Sequence, residues 1–104
     1  MFVETKFRPG GEVLVETDRQ RLARLIRTGH ELIGERHDAY WSDGKGCALV
    51  TALVGAGLKY EGDGANGIAK LLCMDSDFLV SVSLVHCVGI PRLKIADMLE
   101  RGEL

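Results

Sequence analysis

Between Gly46 and Gly57 the chain runs Cys47-Ala-Leu-Val-Thr-Ala-Leu-Val-Gly-Ala56, with no charged residue and a single hydroxyl. At helical spacing this segment is apolar on nearly every side, so a helix over about Cys47 to Ala56 has no face to offer to water and must be enclosed by other elements. It is also far shorter than the roughly 20 residues that a membrane-spanning helix needs. The rest of the chain therefore has to form a shell around one central helix. With 104 residues, 46% of them hydrophobic, there is material for one core and one domain over residues 1–104.

The shell can be read segment by segment. Phe2 to Phe7 and Glu12 to Thr17 alternate apolar and polar residues, which predicts two strands. Arg8-Pro9-Gly10-Gly11 joins them with good turn chemistry, giving an N-terminal β-hairpin over about residues 2–17. An isolated hairpin is marginal in water, so it is expected to lie on the helices. Thr17 or Asp18 caps a helix running to about Ile33, with Leu22, Leu25, Ile26, Gly29, Leu32 and Ile33 as its buried stripe and Gly34 as its stop. A loop from Glu35 to Gly46 leads to the central helix. The glycine-rich stretch Lys59 to Gly67 precedes a short helix with Ile68, Leu71 and Leu72 inward. The segment Phe78 to Val88 alternates like a strand, but the Asp75-Ser76-Asp77 start and the Gly89 stop favour a helix, with Phe78, Val82, Val85 and Cys87 or Val88 along its buried line. Pro91 opens a last helix to about Arg101, with Leu93, Ala96 and Leu99 on one face, Ile95 near its edge and Gly102 beyond its end. The expected fold is mainly α: the hairpin packed on a compact bundle of about five short helices.

Composition limits the partners. Thirteen Lys and Arg against fifteen Asp and Glu leave a formal net charge of −2, which argues against indiscriminate polyanion binding. The N-terminus lacks the basic and apolar zones of a signal peptide, and a cytoplasmic, non-membrane protein is expected. The three cysteines, Cys47, Cys73 and Cys87, form no C-x-x-C unit and cannot all pair within one chain; reduced thiols acting as small core side chains are the expectation. No cofactor is expected, and no metal, because His86 and Cys87 are adjacent and diverge on a helix or a strand alike.

Four constellations remain as carriers of function. Cys47, at the head of the central helix, is where the positive end of the macrodipole lowers a thiol pKa, and papain-like hydrolases are similar in outline there. His30, His37 and His86 stand in no pattern that marks one as its base. Arg19, Arg21, Arg24 and Arg27 form a basic face on the first long helix, suited to phosphate contacts if a duplex is bound. Gly89-Ile-Pro-Arg-Leu-Lys-Ile-Ala-Asp-Met-Leu99 is similar to the opening half of a helix-turn-helix, but the sequence ends at Leu104 with no recognition helix after it. His37, Asp38, Tyr40, Trp41, Asp43 and Lys45 crowd one loop, with Tyr60 in the next, and Tyr and Trp are the side chains most enriched at interface hot spots.

Gly46-Cys-Ala-Leu-Val-Thr-Ala-Leu53 together with Gly89 to Glu100 resembles small uncharacterised helical proteins of bacteria and phages, in which a Cys-Ala-Leu helix is paired with a closing Ile-Ala-Asp helix. That resemblance implies an origin and no activity. The expected function is a non-enzymatic protein-interaction domain: an inhibitor or adaptor of phage or mobile-element type, for example against host CRISPR defence, binding a protein partner through the Tyr40–Trp41 loop. A cysteine-dependent enzyme using Cys47, a DNA-binding regulator using Arg19 to Arg27, and a homodimer are the alternatives.

Overall fold

A computed structural model describes residues 6–7, 13–14, 16–35, 41–42, 44–62 and 64–104. The elements in chain order are β1 (Lys6–Phe7), β2 (Val13–Leu14), α1 (Asp18–His30), β3 (Gly34–Glu35), β4 (Trp41–Ser42), β5 (Lys45–Gly46), α2 (Ala48–Gly55), α3 (Gly64–Leu72), α4 (Ser76–Cys87) and α5 (Arg92–Glu100). The fold is mainly α, as the periodicity predicts. Strands β1 and β2 pair antiparallel, with Lys6 opposite Leu14 and Phe7 opposite Val13; the turn residues Pro9, Gly10 and Gly11 lie outside the described residues.

Helix α2 is the central element. Ala48, Leu49, Val50, Thr51, Ala52 and Leu53 are all buried. Helix α1 packs on it and also on α5, while α3 and α4 pack on each other and reach α2. The close approach of α1 and α2 depends on two glycines. A Cβ on Gly29 would lie 1.8 Å from the Thr51 carbonyl oxygen, and one on Gly55 would lie 2.1 Å from the Leu25 carbonyl oxygen.

The caps follow their residue types. The Thr17 hydroxyl accepts from the Gln20 N–H, and the Gln20 side chain accepts in return from the Thr17 N–H, which makes a capping box. The Asp75 carboxylate accepts from the Phe78 N–H at 3.2 Å and starts α4, so the β-like alternation of that segment yields to its cap. Helix α3 ends on Cys73, whose φ of 55° is left-handed. Its neighbour's amide, Met74 N–H, bonds back to Ala69 O while Cys73 N–H reaches Lys70 O, the pairing of a Schellman motif.

Several expectations are corrected. Helix α1 stops at His30, with Glu31 as its C-cap, because Leu32 and Ile33 N–H both fold back onto Gly29 O; Leu32 is left exposed. The stretch from Glu35 to Gly46 is not a plain loop. Strand β5 is flanked by β3 in parallel and β4 in antiparallel, with Gly34 opposite Lys45, Glu35 opposite Gly46, Trp41 opposite Gly46 and Ser42 opposite Lys45. Helix α3 starts at Gly64, inside the expected glycine-rich loop, and turns Ala65, Ile68, Ala69 and Leu72 inward while Leu71 is exposed. Helix α4 buries Val82, as predicted, together with Leu79 and His86, which were not; Phe78 and Val85 are half-buried, Cys87 is exposed and Val88 is 80% exposed. Helix α5 buries Arg92, Ile95, Ala96 and Leu99, and Leu93 faces out. Among the described residues, no helix is long and apolar enough to cross a membrane.

Candidate functional site

Among the described residues Arg92 is the largest fully buried side chain, 1% exposed, and it stands in the first turn of α5. A cation there opposes the helix dipole and has to be compensated from elsewhere. The compensation is a cage of acceptors. Arg92 Nε donates to His30 Nδ1 at 2.6 Å; Nη1 donates to Thr51 Oγ1 at 2.6 Å, Gly34 O at 2.9 Å and Gly46 O at 3.3 Å; Nη2 donates to Ile33 O and to His30 O at 3.4 Å. A guanidinium has no acceptor, so His30 Nδ1 must present its lone pair to it. Burial lowers the Arg92 pKa from its ordinary value, and the negative charge of Glu35 pulls the other way.

Glu35 completes the group. Its Oε2 accepts from His86 Nε2 at 2.8 Å and from the Arg92 backbone N–H at 2.8 Å. The second bond caps α5 from a distance, since Pro91 at the N-cap has no side-chain acceptor. Burial pushes the Glu35 carboxyl upward, but the His86 hydrogen bond, then the Arg92 N–H and the nearby Arg92 charge, hold it below the usual carboxylate value. His86, on α4, is fully buried. The cluster thus joins the end of α1, β3, β5, α2, α4 and α5 through five polar side chains.

The sequence does not bring this cluster together: Arg92 enters only within the Gly89–Glu100 segment, and His30 and His86 only as unplaced candidate bases. The available signal was the placement itself: an arginine directly after the proline that opens a helix sits where the dipole disfavours it.

The predicted site residues fall in different places. Cys47 is the N-cap of α2 and 4% exposed. Burial raises its pKa against the opposing pull of the Val50 and Leu49 N–H groups, so the helix terminus does not win, contrary to the expected lowering. Cys73 and Cys87 are exposed, so the expectation of three core thiols holds only for Cys47.

The arginine face is internally engaged. Arg19 Nε donates to Leu104 O and its guanidinium lies 5.3 Å from the Phe78 ring centre. Arg21 donates to Leu72 O; Arg24 makes two 2.9 Å bonds to the Glu16 carboxylate; Arg27 pairs with Asp97 and Glu100. Arg27's carboxylates, Asp97 and Glu100, come from α5 at the other end of the chain, whereas Arg24's partner Glu16 stands just before α1.

Of the aromatic loop, His37, Asp38, Tyr40 and Asp43 lie outside the described residues. Trp41 is placed on β4 and Lys45, exposed, on β5. Tyr60 is half-buried, and its hydroxyl accepts from the Gly64 N–H at 3.1 Å. Beside it lies a cavity of about 200 Å³ lined by Val50, Val54, Leu58, Lys59 and Tyr60. Val50 also packs toward β5: a Cβ added to Gly46 would lie 3.0 Å from Val50 Cγ1. Among the described residues, no three His, Cys, Asp or Glu side chains are grouped to hold a metal ion. No family model matches the chain, and the searches of curated proteins and of solved structures found no match either.

Proposed function

We propose that this is a small non-enzymatic protein-interaction domain that receives an apolar side chain of a partner in the cavity formed by Val50, Val54, Leu58, Lys59 and Tyr60, and that Tyr40 and Trp41 contact the same partner. The observation that carries this reading is the size and lining of the cavity. About 200 Å³ falls below the roughly 300–1,000 Å³ of ordinary small-molecule sites and suits a single aliphatic or aromatic anchor. Lys59 in its lining favours an anchor with a carboxylate next to it. Inhibition of, or adaptation to, a larger complex of phage or host origin is one form that such binding takes.

The buried, upward-shifted Cys47 thiol and the internally paired arginines weigh toward this reading and away from nucleophilic catalysis and duplex binding. The test is affinity capture from a lysate of the source organism with the wild type, a Tyr40→Ala, Trp41→Ala variant, a Leu58→Glu variant and an Arg24→Ala control. A partner retained by wild type and control but lost from the other two supports the reading. Identical profiles for all four overturn it.

A further inference from the structure

We propose that a second copy of this chain covers the outward face of α4, the two helices pairing antiparallel about a twofold axis at Leu84. No residue of α4 lines the cavity of the function proposed above, so this pairing stands apart from that reading.

From Phe78 to Pro91 the chain has no Asp, Glu, Lys or Arg, although such residues make up 27% of the whole. A helix with one face on a core ordinarily turns charged and polar side chains to water. Helix α4 buries Leu79, Val82 and His86 on one side, and on the other it presents Val80, Leu84 and its C-cap Val88, which are 41%, 62% and 80% exposed. Spaced four residues apart, these three form one continuous ridge along the helix. Ser81, beside the ridge, donates its hydroxyl to Asp77 O at 3.0 Å, which turns its polar group back onto its own helix. Side chains so exposed present on the order of a few hundred Å² together, the size at which an apolar patch on a single chain marks an interface.

This face is its own complement. Reversed end over end about Leu84, the order Val80, Leu84, Val88 reads the same, so Val80 of each copy meets Val88 of the other and Leu84 meets Leu84, as a twofold contact requires. A strongly charged partner would find no opposite charge between Phe78 and Pro91, whereas a second copy sets no like charges against each other there. The two ends differ in sign. Asp77 is exposed in the first turn of α4, and Lys94 is exposed in the first turn of α5, just past the other end of the ridge. An antiparallel pair sets the acidic end of one copy toward the basic end of the other, and a parallel pair would set like charges together. The patch falls below the roughly 800 Å² that each partner gives to a standard stable interface, so the dimer is weak and forms as concentration rises.

The test is sedimentation equilibrium in reducing buffer from about 10 μM to 1 mM, the range of weak association. The mass of the wild type should rise from 11.4 kDa toward twice that value. Leu84→Glu and Val88→Lys should stay at the monomer mass throughout, and both positions are exposed enough for the core to survive. Leu32→Glu, at an apolar residue 63% exposed outside α4, should associate as the wild type does. A wild type that stays at 11.4 kDa at the highest concentration overturns the proposal and leaves the face to a different chain. Association of Leu84→Glu equal to that of the wild type overturns it as well. Disulfide trapping reads the arrangement: in Ser81→Cys, position 81 of one copy lies against the exposed Cys87 of the other, three residues either side of the axis. Mild oxidation should join those two positions, as mapped by mass spectrometry. Cys87 joined to Cys87, with no link between 81 and 87, would mean a parallel pair and overturn the antiparallel one.

Discussion

Cys47, Cys73 and Cys87 carry the same group in three surroundings. Cys47 is enclosed at the head of α2 with its pKa raised by burial, whereas Cys73 and Cys87 stand in solvent. A thiol reagent at neutral pH should modify Cys73 and Cys87 rapidly and Cys47 only as the protein unfolds; mass spectrometry of the native protein after a short alkylation pulse reads this directly. Fast modification of Cys47 in the folded state would return the cysteine-enzyme reading to consideration. Glu35 gives a second residue-level expectation. Its folded pKa is held below the unfolded value near 4.3, so the folded state binds that proton less tightly than the unfolded one. The stability it contributes is present above the unfolded pKa and is lost as pH falls through the folded pKa. Glu35→Gln should therefore lower the melting temperature at pH 7 and flatten the acid limb of a plot of melting temperature against pH. A parallel acid limb in wild type and variant would show that Glu35 is not responsible.

Pairs of elements meet where particular side chains are missing. Gly29 and Gly55 let the backbones of α1 and α2 approach until a single added methyl would overlap a carbonyl oxygen. Neither partner at that contact is a flexible side-chain end, so Gly29→Ala should force the helices apart and destabilise by about 2–3 kcal/mol, overriding the helix-propensity gain of roughly 1 kcal/mol from replacing glycine. Urea denaturation of the variant tests this, and a midpoint at or above that of the wild type would contradict it. The positions of the helices were legible in the chain because capping residues and glycine stops act locally: Thr17 with Gln20, Asp75 with Phe78 N–H, Pro91 before Arg92. Which face turns inward was less legible. Helix α4 is apolar almost all round, so periodicity alone could not choose between Val85 or Val88 and the His86 that the fold buries. Strands β3 and β5 were hidden altogether, because two-residue strands rich in glycine have no period to detect.

At the scale of the molecule, one apolar core around α2 and one polar cluster around Arg92 share the work. Leu53 is completely buried in the central helix. Leu53→Ala should cost about 2–5 kcal/mol, a large part of the roughly 5–15 kcal/mol that holds a domain of this kind together, and should lower the midpoint of a single transition in chemical denaturation. Two separated transitions would mean that the helices do not form one cooperative unit. The surface arginine pairs weigh little by comparison, at roughly 0–1 kcal/mol each in water, so their part is to tie α1 to α5 and to residue 16 in a set geometry.

The chain by itself determined what depends on near neighbours: a mainly helical fold, the central place of α2 and the starts of α1, α4 and α5. Hydrophobic period and local hydrogen bonding are properties of a short window, so they are readable in one. Only the tertiary structure decided the fate of the charged and polar residues. Arg92 meets Glu35 and His30, and Arg27 meets Asp97 and Glu100, across most of the chain's length. A buried cation is acceptable only where separate segments bring acceptors to it at once, and no window of sequence contains that convergence.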